Sequence, residues 1–113
     1  MIPNNIIGRK YEAVACAFLK EKGYKILRQN YANKLGEIDI ICKDNETIVF
    51  VEVKYRTSNK FGRPIEAITY SKLKKIRLTA TAFLKENGWL NENCRFDAIE
   101  ILNDEIRHIE NIM

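Results

Sequence analysis

Three side chains in the middle of the chain could do chemistry together: Asp39 in GEIDII (36–41), and Glu52 and Lys54 in FVEVKYR (50–56). Both segments are strand-like, apolar and rich in β-branched residues, and the polar KDNE between them suits a hairpin turn. Charges interrupt the apolar runs where a core would take valine. In an extended chain alternate side chains share a face, so Glu37, Asp39 and Ile41 go together, as do Ile48, Phe50, Glu52 and Lys54.

Register decides whether the two sets meet. A two-residue turn at Asn45-Glu46 sets Asp39 opposite Glu52, and one at Asp44-Asn45 pairs Asp39 with Phe50 and leaves Glu52 diagonal. Either register puts the carboxylates on one face, with β-carbons about 5 Å or about 7 Å apart. A loop of odd length separates them, barring a bulge.

Two carboxylates this close, beside Ile41, Ile48 and Phe50, repel each other and lose hydration. A divalent cation held by carboxylate oxygens satisfies both, and an all-oxygen set favours Mg²⁺ or Mn²⁺ over zinc. Lys54, about 7 Å farther along the same strand face, is placed to offer its ammonium to a phosphate oxygen or an attacking water. The competing account is an exposed sheet edge with Lys54 as an ordinary ion-pair partner. Spacing alone leaves both open. Glu12, at the margin of an apolar helical stripe, is a candidate third ligand that reaches over the sheet, against the commoner solvated helix glutamate.

The elements that must position these groups follow from periodicity. Ile7, Tyr11, Val14, Ala15, Phe18 and Leu19 give an amphipathic helix, with Asn4 or Asn5 as cap and Gly23 as stop. YKILRQNY (24–31) is a strand leading into the hairpin, so three antiparallel strands form a meander. A second helix is expected from Pro64, through Ile65, Ile68, Leu73, Ile76, Ala80, Phe83 and Leu84, to Asn87-Gly88. CRFDAIEIL (94–102) and EIRHIENI (105–112) are strands around an Asn103-Asp104 turn. The order αβββαββ predicts an α/β fold, a mixed sheet flanked by two helices.

At 113 residues one domain over 1–113 is expected. No apolar run approaches the about 20 residues that span a bilayer, and no secretory signal opens the chain, so a cytoplasmic protein without membrane contact is expected. Cys16, Cys42 and Cys94 are odd in number and far apart, which suggests neither a disulfide framework nor a zinc site.

The net charge of +4 is unevenly spread. Residues 1–53 carry eight Lys/Arg and seven Asp/Glu, residues 54–77 eight against Glu66 alone, and residues 78–113 three against seven. The basic block begins at Lys54 and favours phosphate chemistry and an anionic partner. Arg56, Lys60, Arg63, Lys72, Lys74, Lys75 and Arg77 are its candidate nucleic-acid contacts, although a long helix also carries lysine on its solvent face. Glu37 suits a supporting group or a salt-bridge partner, and Asp97 a structural hydrogen-bonding role. Tyr55 and Phe61 suit packing better than base stacking. His108 is the only histidine, which leaves little for a serine or cysteine triad; no GxxxxGK loop is present.

In this order the segments resemble the YraN-like family of predicted endonucleases, small bacterial proteins placed in the PD-(D/E)xK nuclease superfamily and likened to archaeal Holliday-junction resolvases. The matching segments are GYKILRQNY (23–31), GEIDII, FVEVKYR, FGRPIEAI (61–68), Lys72, RFDAIEI (95–101) and IRHIENI (106–112), together with the helix bearing Glu12. The resemblance implies a restriction-endonuclease-like core. It makes Asp39 and Glu52 metal ligands, Lys54 the superfamily lysine, and Glu12 the extra acid of resolvase-like members. Ile38 stands where the superfamily's namesake has proline.

The function expected is a Mg²⁺- or Mn²⁺-dependent endonuclease acting on DNA, branched or otherwise structured by family analogy, with a homodimer by the same analogy. A nucleic-acid-binding module without efficient catalysis is the alternative, and a protein-interaction adaptor the third.

Overall fold

The computed structural model describes residues 4–57, 62 and 68–113, with side chains from residue 7 onward. The apolar stripe of the first segment forms α1 (Asn4–Glu21), which buries Ala15, Cys16 and Leu19 and leaves Val14 outside. It stops where expected: Gly23 takes φ +94°, its N–H donates to Lys20 O at 2.9 Å, and Tyr24 N–H donates to Leu19 O at 3.0 Å. Glycine takes this left-handed position without a β-carbon clash. The capping expected of Asn4 or Asn5 lies outside the described side chains.

Among the described residues the sheet has five strands, β1 (Lys25–Asn33), β2 (Gly36–Asp44), β3 (Thr47–Arg56), β4 (Cys94–Leu102) and β5 (Glu105–Ile109), in spatial order β1-β2-β3-β4-β5. Neighbours are antiparallel except β3 and β4, which run parallel. That parallel step needs a crossover, and α2 (Tyr70–Glu86) supplies it. The expected order αβββαββ and the mixed sheet with two helices are both found.

The second helix begins later than its periodicity suggests. Thr69 is its cap, with Oγ1 accepting from Lys72 N–H at 3.2 Å, and Ile68 is not helical. Pro64 and Ile65, expected in its first turn, lie outside the described residues. The last strand ends at Ile109 instead of Ile112, because Ile112 N–H turns back to Phe96 O at 2.8 Å.

Each face of the sheet has its own core. Ile40, Cys42, Val49, Val51, Val53, Ile99 and Ile101 pack under α1, whereas Tyr31, Ile38, Ile41, Ile48 and Phe50 pack under Ile76, Ala80, Phe83 and Leu84 of α2. Strand β3 alternates strictly. Strand β2 does not, since Ile38 belongs to the α2 side and Ile40 to the α1 side, and the break falls at Asp39. At the start of β2, a β-carbon on Gly36 would stand 2.8 Å from Thr79 Oγ1, so glycine lets the strand come up against α2.

The far end of the sheet is fastened by a buried acid. Asp97, fully buried on β4, accepts from Arg95 Nε at 3.1 Å and from Asn111 N–H at 3.1 Å, and lies 2.7 Å from His108 Nε2. Arg95 also reaches Asp44 at 3.1 Å, Tyr24 Oη at 2.8 Å and Glu110 at 3.0 Å. This is the structural hydrogen-bonding role expected of Asp97, and it ties β2, β4, β5 and the last residues together.

Desolvation works to raise the Asp97 carboxyl, but the hydrogen bonds from His108, Arg95 and Asn111 prevail and hold it below its usual range. Its contribution to stability is therefore complete above the unfolded carboxyl's pKa of about 3.9 and is lost as the pH falls through the lower folded value. Removing a charge from such a network costs about 3 kcal/mol. Asp97→Asn should lower neutral-pH stability by roughly that amount in urea titrations and show a flatter decline than the wild-type protein below about pH 4.

Candidate active site

The polar hairpin turn falls on Asn45-Glu46. Asp44 pairs with Thr47, and the left-handed conformation of Asn45 (φ +54°) is one that asparagine tolerates. The ladder between β2 and β3 then runs from that pair to Ile40 and Val51 and stops. In the same register the next pair would be Asp39 and Glu52. Beyond that point β2 pairs only with β1 and β3 only with β4, so the sheet forks.

Asp39 stands in the crotch of the fork. Its Oδ2 accepts from Val53 N–H at 2.8 Å, taking the donor that a continued ladder would have used. The side chain thereby satisfies a backbone group that forking would orphan.

The fork opens a cavity of about 380 Å³ that both helices reach. Glu12 lines it from α1, Glu37 and Asp39 from β2, Glu52 and Lys54 from β3, and Lys72 and Lys75 from α2. The predicted acids and Lys54 thus share one concavity, and two of the seven candidate basic residues join them. Glu37 is exposed at its rim. Arg56 is exposed at the end of β3 and donates to Tyr55 O at 2.8 Å. Lys74 and Arg77 are exposed and border a separate, mostly apolar concavity with Tyr70 and Leu78. Lys60, Arg63 and Phe61 lie outside the described residues. Tyr55 stacks on Tyr11 of α1, with ring centroids 4.1 Å apart, so its role is packing.

The electrostatics of the cavity are unbalanced. Glu52 is only 5% exposed, and its Oε1 has no hydrogen-bond partner among the described residues. Burial, then the neighbouring Asp39 charge, pushes its carboxyl up to about 8 against the pull of Lys54 and Lys72. Burial, then hydrogen bonding to Asp39 and its charge, pushes Glu12 up to about 7. Burial, then the adjoining Lys72, lowers the Lys54 ammonium's pKa. Carboxylates resist ionisation here because they are desolvated and crowd one another, and the nearby lysines offset this only in part.

Those shifts fit a cation, as does the all-carboxylate donor set, and the orphaned Glu52 oxygen is an acceptor with no donor among the described residues. Among the described residues, no three His, Cys, Asp or Glu side chains form a ready-made metal cage. All three acids also have partners within the protein: Asp39 accepts from Val53 N–H, Glu52 from the Asp39 backbone N–H, and Glu12 from the side chain of Asn30 once its amide is turned toward α1. The sequence pattern does not single out Asn30. The signal that could have found it is an asparagine inside a strand-like run, a residue type depleted from strands.

The model of a family described as "Uncharacterised protein family UPF0102" matches residues 11–101. A UPF0102 protein of Alkaliphilus oremlandii is 48% identical, over 96% of this chain and 97% of the relative. Another, of Lachnoclostridium phytofermentans, is 47% identical over 92% and 89%, and one of Fusobacterium nucleatum subsp. nucleatum is 43% identical over 95% and 90%.

Glu52 is neutral in both folded and unfolded chains below about pH 4. Between there and about pH 8 the folded chain keeps a proton that the unfolded chain loses, so stability falls as pH rises and the loss is complete above about 8. In EDTA, Glu52→Gln should match the wild-type protein near pH 4. Near pH 8 it should be more stable by about 2–4 kcal/mol, read as a higher melting temperature in a pH series.

Proposed function

The chain belongs to the uncharacterised protein family UPF0102, and on that premise we propose that it is a divalent-metal-dependent phosphodiesterase acting on DNA, branched or structured DNA by resemblance. One observation carries this reading: a buried carboxylate oxygen of Glu52 is left without a partner among the described residues, in a cavity that also gathers three more acids and three lysines. A purely structural site would have satisfied that atom.

Glu12, Asp39 and Glu52 would hold the ion, and their oxygen donors suit Mg²⁺ or Mn²⁺. When bound, such an ion supplies a nucleophilic water at neutral pH and offsets charge building on the phosphoryl oxygens. The protein does the rest. Lys72 and Lys75 approach from α2 and supply positive potential at the open side of the cavity, where a phosphate of the backbone would lie. Lys54, half-buried and with its ammonium pKa lowered by desolvation and by Lys72, is suited to orient or exchange a proton with the attacking oxygen. Its place on β3, two residues from Glu52, keeps the base of its side chain beside the acids. A symmetric dimer would present two such sites to the two strands of a symmetric junction.

A second reading, a DNA-binding module without efficient catalysis, draws on the lack of a preformed three-ligand cage among the described residues. Among the described residues no helix is long and apolar enough to cross a membrane.

Purified protein offered linear, single-stranded, flap and four-way-junction DNA should cleave in Mg²⁺ or Mn²⁺ and not in EDTA. Asp39→Asn and Lys54→Ala should each lose about 100-fold or more in rate, the scale of a lost charge-stabilising or proton-transferring group. Cleavage equal in the variants and the wild type would point to a contaminant and end the nuclease reading. Salt-sensitive binding without cleavage in any metal would establish the module instead.

A further inference from the structure

Asn30 occupies an unusual place in β1. Its neighbours Gln29 and Tyr31 pair with Ile40 and Ile38, which sets Asn30 opposite Asp39 in register, yet its backbone lies in the left-handed region at φ +51°. A left-handed residue within a strand is strained for most side chains and is tolerated by asparagine, aspartate and glycine. It falls where β2 switches faces between Ile38 and Ile40, so the irregularity belongs to the geometry that opens the fork.

The side chain adds a second observation. With its amide nitrogen turned toward α1, the orientation its surroundings favour, Asn30 donates to Glu12 Oε2 at 3.0 Å and to Oε1 at 3.1 Å. Both oxygens of the one helical acid are therefore held from the strand opposite. Glycine would allow the backbone but give no donor; aspartate would allow it but set a carboxylate against a carboxylate. Asparagine meets both conditions.

We propose that Asn30 is a positioning residue of the cavity, clamping the Glu12 carboxylate over Asp39 so that the acid from α1 joins the pair from the hairpin. This rests on the reading of the cavity as a cation-dependent site.

Two arms test it. In the first, Mn²⁺ binding is measured by calorimetry for the wild type, Asn30→Gly and Asn30→Asp, alongside melting temperature. Asn30→Gly should bind Mn²⁺ about 10- to 100-fold more weakly, the usual effect of removing a group that orients a ligand, with its melting temperature in EDTA nearly unchanged, and Asn30→Asp should bind no better than Asn30→Gly. Wild-type Mn²⁺ affinity in Asn30→Gly, or a fall in stability alone, would overturn the proposal. The second arm needs no metal: in EDTA, the Glu12 side-chain carboxyl carbon resonance should move in Asn30→Gly, and the Asn30 side-chain amide resonances should move in Glu12→Gln. Both unmoved would overturn the clamp, whatever the metal result. A wild type that binds no Mn²⁺ while these resonances respond would sink the cation-dependent reading and with it the positioning role, leaving a structural contact only.

Discussion

The hydrogen bond from Val53 N–H to Asp39 Oδ2 is the contact on which the site depends. Where β2 and β3 part, one strand must find another acceptor for a ladder donor, because an unpaired buried N–H costs about as much as a lost hydrogen bond. An aspartate at the fork supplies the acceptor and also lines the cavity. The same residue therefore permits the sheet to split and carries charge into the gap. An asparagine could satisfy the backbone, but only the acid also provides the negative charge that a cation or a proton can answer.

Forking explains how two helices on opposite faces of one sheet can serve a single cavity. An unbroken sheet would separate Glu12 on α1 from Lys72 and Lys75 on α2 by its full thickness. Since the β2–β3 ladder ends at Ile40 and Val51, groups from both faces converge past its end. Acids and lysines therefore line one cavity together. Such a pairing suits a ligand that is itself both cation and anion, as a metal-bound phosphate is.

Much of this was legible in the chain. Strand β4 has the bounds its alternation suggests, and the hairpin adopts one of the two registers that keep Asp39 and Glu52 together, because Asn45 accepts the left-handed turn position. Two features were not legible. Period-2 patterning assumes a regular pleat, so it cannot foresee that Ile38 and Ile40 face opposite cores, and the switch rests on a tertiary fork. The start of α2 was misplaced because helical spacing of apolar residues extends upstream through Ile65 and Ile68, whereas the boundary is set by Thr69 accepting from Lys72 N–H. The basic block looked uniform in sequence. Helical geometry divides it, with Lys72 and Lys75 toward the cavity and Lys74 and Arg77 away from it.

A comparison within the molecule bears on what the cavity is for. Asp97 and Glu52 are both buried acids on adjacent central strands, in residues with nearly the same access to solvent. Around Asp97 the fold has gathered Arg95, His108 and the Asn111 N–H, and the carboxyl is held below its usual range. Around Glu52 it has gathered another acid as well as Lys54 and Lys72, yet one oxygen is left with no donor among the described residues and the carboxyl is held above its usual range. The chain is therefore capable of satisfying a buried carboxylate where the role is structural. Keeping Glu52 buried with that oxygen unmatched costs stability near neutral pH, a cost that the proposed cation would offset.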